Sequence, residues 1–174
     1  MAIGLPVTVD DMRVGDIGQV HEIERLSFST PWPTYAFEQE LRANRLARYV
    51  VARAAEPGGE RVVGFAGLWL MVDEAHITTF GVHPGWRRQG VGRRLLLRLV
   101  DLSLELGAVR MTLEVRVSNT AAQELYRGFG FTIAGTRTRY YTDDGEDAFV
   151  MTTPDLARDE MRELIASERA RLQR

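Results

Sequence analysis

Three extended runs stand in succession between residues 47 and 84, and their spacing restricts the fold more than any other feature. ARYVVARA at 47–54 and RVVGFAGLWLMV at 61–72 are separated only by AEPGGE, whose proline and glycines mark a hairpin loop. EAHITTFGVHP at 74–84 follows directly and is stopped by Pro84. Strands this closely spaced form an antiparallel meander, and what precedes and follows them must cover it.

Before the meander, VTVDDMR at 7–13 reads as a short strand, and residues 14–28 place Ile17, Val20, Ile23, Glu24 and Phe28 at helical spacing. Two prolines in STPWP at 29–33 end that helix. A second short helix begins near Thr34, with Phe37 and Leu41 on one face. After the meander comes the glycine turn GWRRQGVG, and then a helix over 91–107. Val91, Leu95, Leu99, Leu102 and Leu106 form its stripe, and Gly107 suits a left-handed position past its end. A strand at 110–117, a helix from about 120 to 128 and strands at 131–141 and 147–153 complete the pattern. A charged tail follows, helical in composition, with Leu156, Met161, Leu164, Ile165 and Leu172 as a thin apolar stripe. The order is strand, two helices, three strands, helix, strand, helix, two strands, which is a mixed α/β layer fold whose meander feeds two crossover units. It is neither a doubly wound sheet nor a barrel.

Composition narrows the function. A chain of 174 residues with 45% apolar and 26% charged residues is expected to form one soluble domain. The net charge of −2 gives no single-sign field to draw a nucleic acid, and the absence of cysteine excludes thiol catalysis and thiolate metal sites. The longest apolar run, residues 62–72, is well short of the roughly 18 to 20 residues a membrane span needs. MAIGLPVTVDDMR lacks the charged start and apolar block of a secretory signal, so a cytoplasmic location is expected. His21, His76 and His83 are dispersed without metal-ligand spacing, and each reads as an ordinary helix, strand or turn residue; no metal is expected.

Two stretches carry chemistry. RRQGVG at 87–92 lies between a strand and a helix whose first turn holds Arg93 and Arg94. A helix start offers backbone N–H groups and a positive dipole end, and glycine admits a ligand close to the backbone. It is neither a Walker loop nor a dinucleotide turn, since no Gly-Lys-Ser/Thr follows and Leu95 stands where a third glycine would be. The pattern leaves open a helix-entry turn with solvated arginines, but cations at that end oppose the dipole, and an anionic ligand would relieve the conflict. The second stretch is LEVRVSNTAAQELYRGFGF at 113–131. Alternation puts Glu114 with Thr112 and Arg116 on one strand face, helical spacing puts Tyr126 in a core stripe, and Asn119 suits an amino-terminal cap. Taken singly, these are a solvated carboxylate, a core aromatic and a cap.

Together with RYYTDDGEDAFVM at 139–151, the two stretches resemble the GNAT superfamily of acetyl-CoA-dependent N-acetyltransferases, and most closely its ribosomal-protein-alanine (RimI-type) branch. The resemblance runs from about Val7 to Thr153. It implies a GNAT-type fold: a mixed, mostly antiparallel sheet of about seven strands with helices on both faces, plus a carboxy-terminal helix. It divides the chain into an acetyltransferase domain at 1–154 and a helical extension at 155–174. The acetyl-CoA pyrophosphate would fall on Arg88, Gln89, Gly90, Val91, Gly92 and Arg93, with Arg87 opening the loop. Phe80, Gly81 and Val82 would flank the pantetheine arm and offer an N–H to the thioester carbonyl, and Asn119 would touch the cofactor. Glu114 matches the general base and Tyr126 the general acid.

Trp32, Tyr140 and Tyr141 match regions flanking the acceptor, which would be a protein amino terminus, with a ribosomal small-subunit protein as the implied target. Asp143, Asp144, Glu146 and Asp147 read either as a solvated turn or as an acidic rim for a cationic terminus. Phe80-Gly81 departs from the branch's usual Ile-Ala. Two further readings stand beside this one: an acetyltransferase acting on a lysine side chain or small-molecule amine, and an acetyl-CoA-binding regulatory module without turnover. A monomer is favoured, and no nucleic-acid or membrane partner is expected.

Overall fold

The computed structural model describes residues 6–174. Residues 1–5, where the stretch read for a secretory signal begins, lie outside the described residues. The elements are β1 (Val7–Asp11), α1 (Ile17–Ser27), α2 (Thr34–Ala43), β2 (Ala47–Glu56), β3 (Gly59–Met71), β4 (Glu74–Val82), α3 (Val91–Glu105), β5 (Arg110–Arg116), α4 (Thr120–Arg127), β6 (Thr132–Arg137), β7 (Ala148–Thr152) and α5 (Asp159–Leu172). Short 3-10 turns precede α1 and follow β4. The strands form one mixed seven-stranded sheet in the order β1-β2-β3-β4-β5-β7-β6. No helix among the described residues is long and apolar enough to cross a membrane.

The element order is the one the sequence predicts, and Gly107 has the expected left-handed backbone, φ +77°. Several element ends shift by a few residues, and one shift bears on the site. The strand expected to reach Tyr141 stops at Arg137, because Arg139 adopts φ +52° and gives its N–H to Asp147 Oδ1 at 2.8 Å. A residue in that conformation leaves the pleat, so 138–147 becomes a loop.

The chain divides into two units. The first comprises residues up to Trp69 together with Thr78–Leu99. Within it β1, β2 and β3 pair antiparallel, and Phe37 stands edge-on to Tyr49 and Phe65 at centroid distances of 6.0 and 5.9 Å. Edge-to-face packing at this range adds to the burial of the rings. Arg53 spans Asp16 with two 2.7 Å bonds and reaches Asp10 at 2.8 Å. Burial alone would push the Asp16 carboxyl up, but Arg53 and the Arg13 N–H outweigh it and hold it below the usual carboxylate range.

Glu24 is different. It is 1% exposed, accepts the Trp32 N–H at 3.1 Å, and is pushed up to about 7 by burial that this one hydrogen bond only partly offsets. Its acceptor oxygen pins the loop that carries Trp32 to α1.

The second unit comprises Leu70–Ile77 and Val100–Arg174. Here β4 pairs parallel with β5, β5 and β6 each pair antiparallel with β7, and Met111, Leu113, Phe129, Phe131 and Met151 are fully buried. α5 packs on this unit through buried Met161 and Ile165, and Arg169 grips Asp101 with bonds of 2.6 and 3.1 Å.

Glu24 gives a stability prediction with a definite sign. Its folded-state pKa lies above the unfolded value, so the folded chain retains a proton that the unfolded chain has lost, and stability falls as pH rises from about 4.5 to about 7. Glu24→Gln keeps the oxygen for Trp32 and cannot ionise. Its stability relative to the parent should be near zero at pH 4.5 and grow to a plateau above pH 7, on the order of 3 kcal/mol at most. Denaturant titrations across that range measure it.

Candidate active site

In the first unit, β4 carries Phe80, Gly81 and Val82, and the chain then turns through residues 83–90 into α3. A Cβ on Gly81 would lie 2.7 Å from Cε1 of the buried Phe65 ring. This glycine is therefore required by core packing, which gives the Phe80-Gly81 departure a physical reason. Arg87 donates to Val82 O and Ser27 Oγ, both at 3.2 Å, tying the turn to the end of β4 and to α1. Gln89 donates to Gly85 O at 3.1 Å.

Arg88 at φ +60° and Gly90 at φ +81° then reverse the backbone, and the helical bonding starts with Arg94 N–H to Gly90 O at 3.1 Å. The amides of Val91 and Gly92 thus stand at the positive end of a 15-residue helix, beside arginines, which is a setting for a phosphate group. Trp32 lies in the same unit, partly buried, with its ring 5.1 Å from that of Phe37.

The second unit holds Glu114, Asn119, Tyr126, Tyr140 and Tyr141. Glu114 projects from β5 with its side chain 9% exposed. His76 Nε2 on β4 lies 2.6 Å from Oε2, and Arg137 Nε on β6 lies 3.2 Å from Oε1. Burial would raise this carboxyl, but His76 and then Arg137 outweigh it and hold it below the ordinary range.

Tyr126 is buried against Phe131, ring centroids 5.7 Å apart, and burial with the nearby Tyr141 pushes its phenol up, so it keeps its proton through neutral pH. Tyr140 and Tyr141 form an edge-on pair 5.2 Å apart, and both feel the Glu114 charge. Burial pushes Tyr141 up to about 12. Asn119 caps α4, its Oδ1 accepting the Ala122 N–H at 3.2 Å.

The acidic turn is not a vacant rim. Arg116 donates to Asp143 at 2.9 and 3.0 Å, to Asp144 at 3.0 and 3.1 Å and to Glu146 at 3.3 Å. Its guanidinium carbon also lies 3.9 Å from the Tyr141 ring centroid. Glu146 takes the Ser118 N–H at 2.8 Å, so the loop bearing both tyrosines is latched to the end of β5. His76, Arg116 and Arg137 are functional candidates that motif reading passed over. The one signal available for His76 was alternation, which puts it in the less buried phase of β4 just as it puts Glu114 in that of β5.

The profile of the Acetyltransferase (GNAT) family matches residues 17–131, and the chain belongs to that family. It is an acetyl-CoA-dependent N-acetyltransferase. A Bacillus subtilis relative, provisionally assigned as a ribosomal protein bS18-alanine N-acetyltransferase, is 44% identical over 143 residues, 82% of this chain and 92% of its own. The N-alpha-acetyltransferase RimI of Mycobacterium tuberculosis is 40% identical over 152 residues, 84% of this chain and 91% of its own. The crystal structure of the ribosomal-protein-S18-alanine N-acetyltransferase from Escherichia coli superposes with a TM-score of 0.75 at 31% identity, covering 88% of this chain and 97% of that one.

The Arg116 latch has a measurable consequence. Arg116→Ala leaves three carboxylates crowded without their cation, and the loop should open. Amide exchange at Tyr141 and Gly145, whose N–H groups bond within the loop to Glu146 O and Tyr141 O, should accelerate at least tenfold, while the β5–β7 amides stay protected. Hydrogen-exchange mass spectrometry resolves the two segments.

Proposed function

We propose that this chain acetylates the α-amino group of a protein amino terminus beginning with alanine or a similarly small residue, with a ribosomal small-subunit protein as target, by direct transfer in a ternary complex. The activities named for its relatives support that acceptor. The observation that carries the mechanism is Glu114, an ionised, largely covered carboxylate fixed by His76 at 2.6 Å next to the Tyr140–Tyr141 pair.

In this reading Arg88, Gln89, Gly90, Val91, Gly92 and Arg93, with Arg87 bracing the turn, hold the pyrophosphate of acetyl-CoA. Phe80, Gly81 and Val82 flank the pantetheine arm and present an N–H to the thioester carbonyl, and Asn119 lies beside the cofactor. Glu114 takes the proton of the attacking amine, directly or through a water, and Tyr126 supplies one to the departing thiolate. Trp32, Tyr140 and Tyr141 flank the acceptor. Direct transfer suits a chain with no cysteine to carry an acetyl group. Residues 1–154 act as the acetyltransferase domain of a cytoplasmic monomer, with 155–174 as its helical extension.

The amine itself favours this acceptor. At pH 7 an α-amino group costs about 1 kcal/mol to deprotonate, against roughly 4 to 5 kcal/mol for a lysine. Coenzyme A release should therefore occur with a peptide bearing a free amino-terminal alanine and not with a blocked peptide carrying an internal lysine. Turnover on the lysine peptide would overturn the acceptor. Glu114→Gln should lower kcat on the order of 10²-fold or more while acetyl-CoA affinity stays within a factor of a few. The parent's kcat/KM should rise with the α-amine between pH 6 and 8, because Glu114 is ionised throughout that range.

A further inference from the structure

We propose that His76 is the positioning residue of the acetyl transfer: its Nε2–H fixes one oxygen of Glu114, leaving the other to meet the incoming amine, and Arg137 holds that second oxygen until the amine arrives. The proposal rests on the reading of Glu114 as the proton acceptor.

The 2.6 Å separation between His76 Nε2 and Glu114 Oε2 requires a hydrogen between the two atoms. Glu114 is ionised, so that hydrogen belongs to the imidazole and is carried on Nε2. Both residues stand on hydrogen-bonded strands. His76 pairs in register with Thr112, and Glu114 is the next residue on that same face of β5. The donor therefore cannot drift from the acceptor without disturbing the sheet.

The other oxygen has a different kind of partner. Arg137 comes from the terminal strand of the sheet, its side chain is 57% exposed, and its Nε sits at the longer distance of 3.2 Å. A long exposed side chain exchanges partners cheaply, since it is solvated in either state. Around Glu114 the facing groups are His76 from β4, Arg137 from β6, and Tyr140 and Tyr141 from the loop after β6, while β7 opposes it with apolar Val150.

His76 and Arg137 both favour the ionised carboxylate, but only the imidazole also fixes its orientation. During attack, a C–N bond forms to the acetyl carbon as the carbonyl π pair moves onto oxygen and an amine N–H bond breaks; the pair then returns, the C–S bond breaks, and the departing coenzyme A thiolate takes up a proton. The amine proton passes to Oε1, and a rigid Oε2 keeps Oε1 within reach of it.

The test compares His76→Ala with His76→Gln, whose amide places an N–H near the position of Nε2. Two readouts are taken: the pH profile of kcat/KM with the alanyl peptide, and the Glu114 carboxyl titration followed by carbon-13 NMR. In H76A, kcat/KM should fall roughly tenfold, what one hydrogen bond to a charged group is worth. Its acid limb and the carboxyl midpoint should both move to higher pH, because burial is then opposed by Arg137 with no help from His76. H76Q should recover most of the rate and the parent's acid limb. An H76A protein whose carboxyl midpoint and acid limb coincide with the parent's would overturn the proposal. If the parent itself does not turn over the alanyl peptide, the acceptor reading fails, and the carboxyl titration still decides the role of His76. Should H76A lose its fold, H76L against H76Q makes the same comparison.

Discussion

Two parallel strands cannot be joined by a hairpin, and the pairing of Glu74, Ala75 and His76 with Arg110, Met111 and Thr112 therefore obliges the chain between β4 and β5 to cross back. Residues 83–109 make that crossing, and α3 is its helix. Two properties follow from this one constraint. The crossover places a helix amino terminus directly after a strand, in a turn whose backbone reversal at Arg88 and Gly90 suits a phosphate. The parallel register also sets His76 beside the strand that carries Glu114, so a pair separated by 38 positions in sequence becomes a 2.6 Å contact.

The charged groups show how burial and pairing divide the work. Asp16 is buried with a guanidinium across both oxygens, and its acidity is strengthened. Glu24 is buried with one amide donor, and its acidity is weakened to about 7. Glu114 lies between these cases, with burial opposed by one imidazole and one exposed arginine. Only the last arrangement leaves a carboxylate that is ionised, oriented and still open to exchange of a partner. Paired buried charges such as Asp16 and Arg53 are expensive to separate, so they serve architecture better than turnover.

Periodicity made most of the fold legible. Each expected helix and strand exists, because apolar spacing at 2 or 3.6 residues is imposed by the same core that forms in the structure. The strand through Tyr141 misled because its composition is β-favouring while its conformation is decided by tertiary contacts: Asp147 on the Arg139 amide and Arg116 on the carboxylates that follow. The same limit explains the site. Glu114 and Tyr126 stand out only as parts of a combined motif, since each alone satisfies an ordinary packing pattern. His76 and Arg137 have no motif at all, and their value arises from register. The acidic turn could be read as a solvated turn or as a rim for a cationic substrate, and three of its carboxylates, Asp143, Asp144 and Glu146, are engaged by Arg116 from a strand 27 to 30 positions earlier.

A carboxylate held below its usual pKa is a weak base, which stands against the amine deprotonation proposed for Glu114. The arithmetic of the proposed acceptor resolves this. An α-amino group near pKa 7.8 is already neutral in about one molecule in seven at pH 7, whereas a lysine near 10.4 is neutral in fewer than one in a thousand. For the first, the base need only remove the proton that becomes acidic as the C–N bond forms, and a strongly ionised, well-placed carboxylate does this without having to compete for a ground-state ammonium proton. For the second, the base must also extract the initial proton, and lowering its pKa makes that harder. In the proposed mechanism the His76–Glu114–Arg137 arrangement therefore bears on selectivity: a base kept weak and fixed favours amines that arrive nearly neutral, which are those at the start of a protein chain.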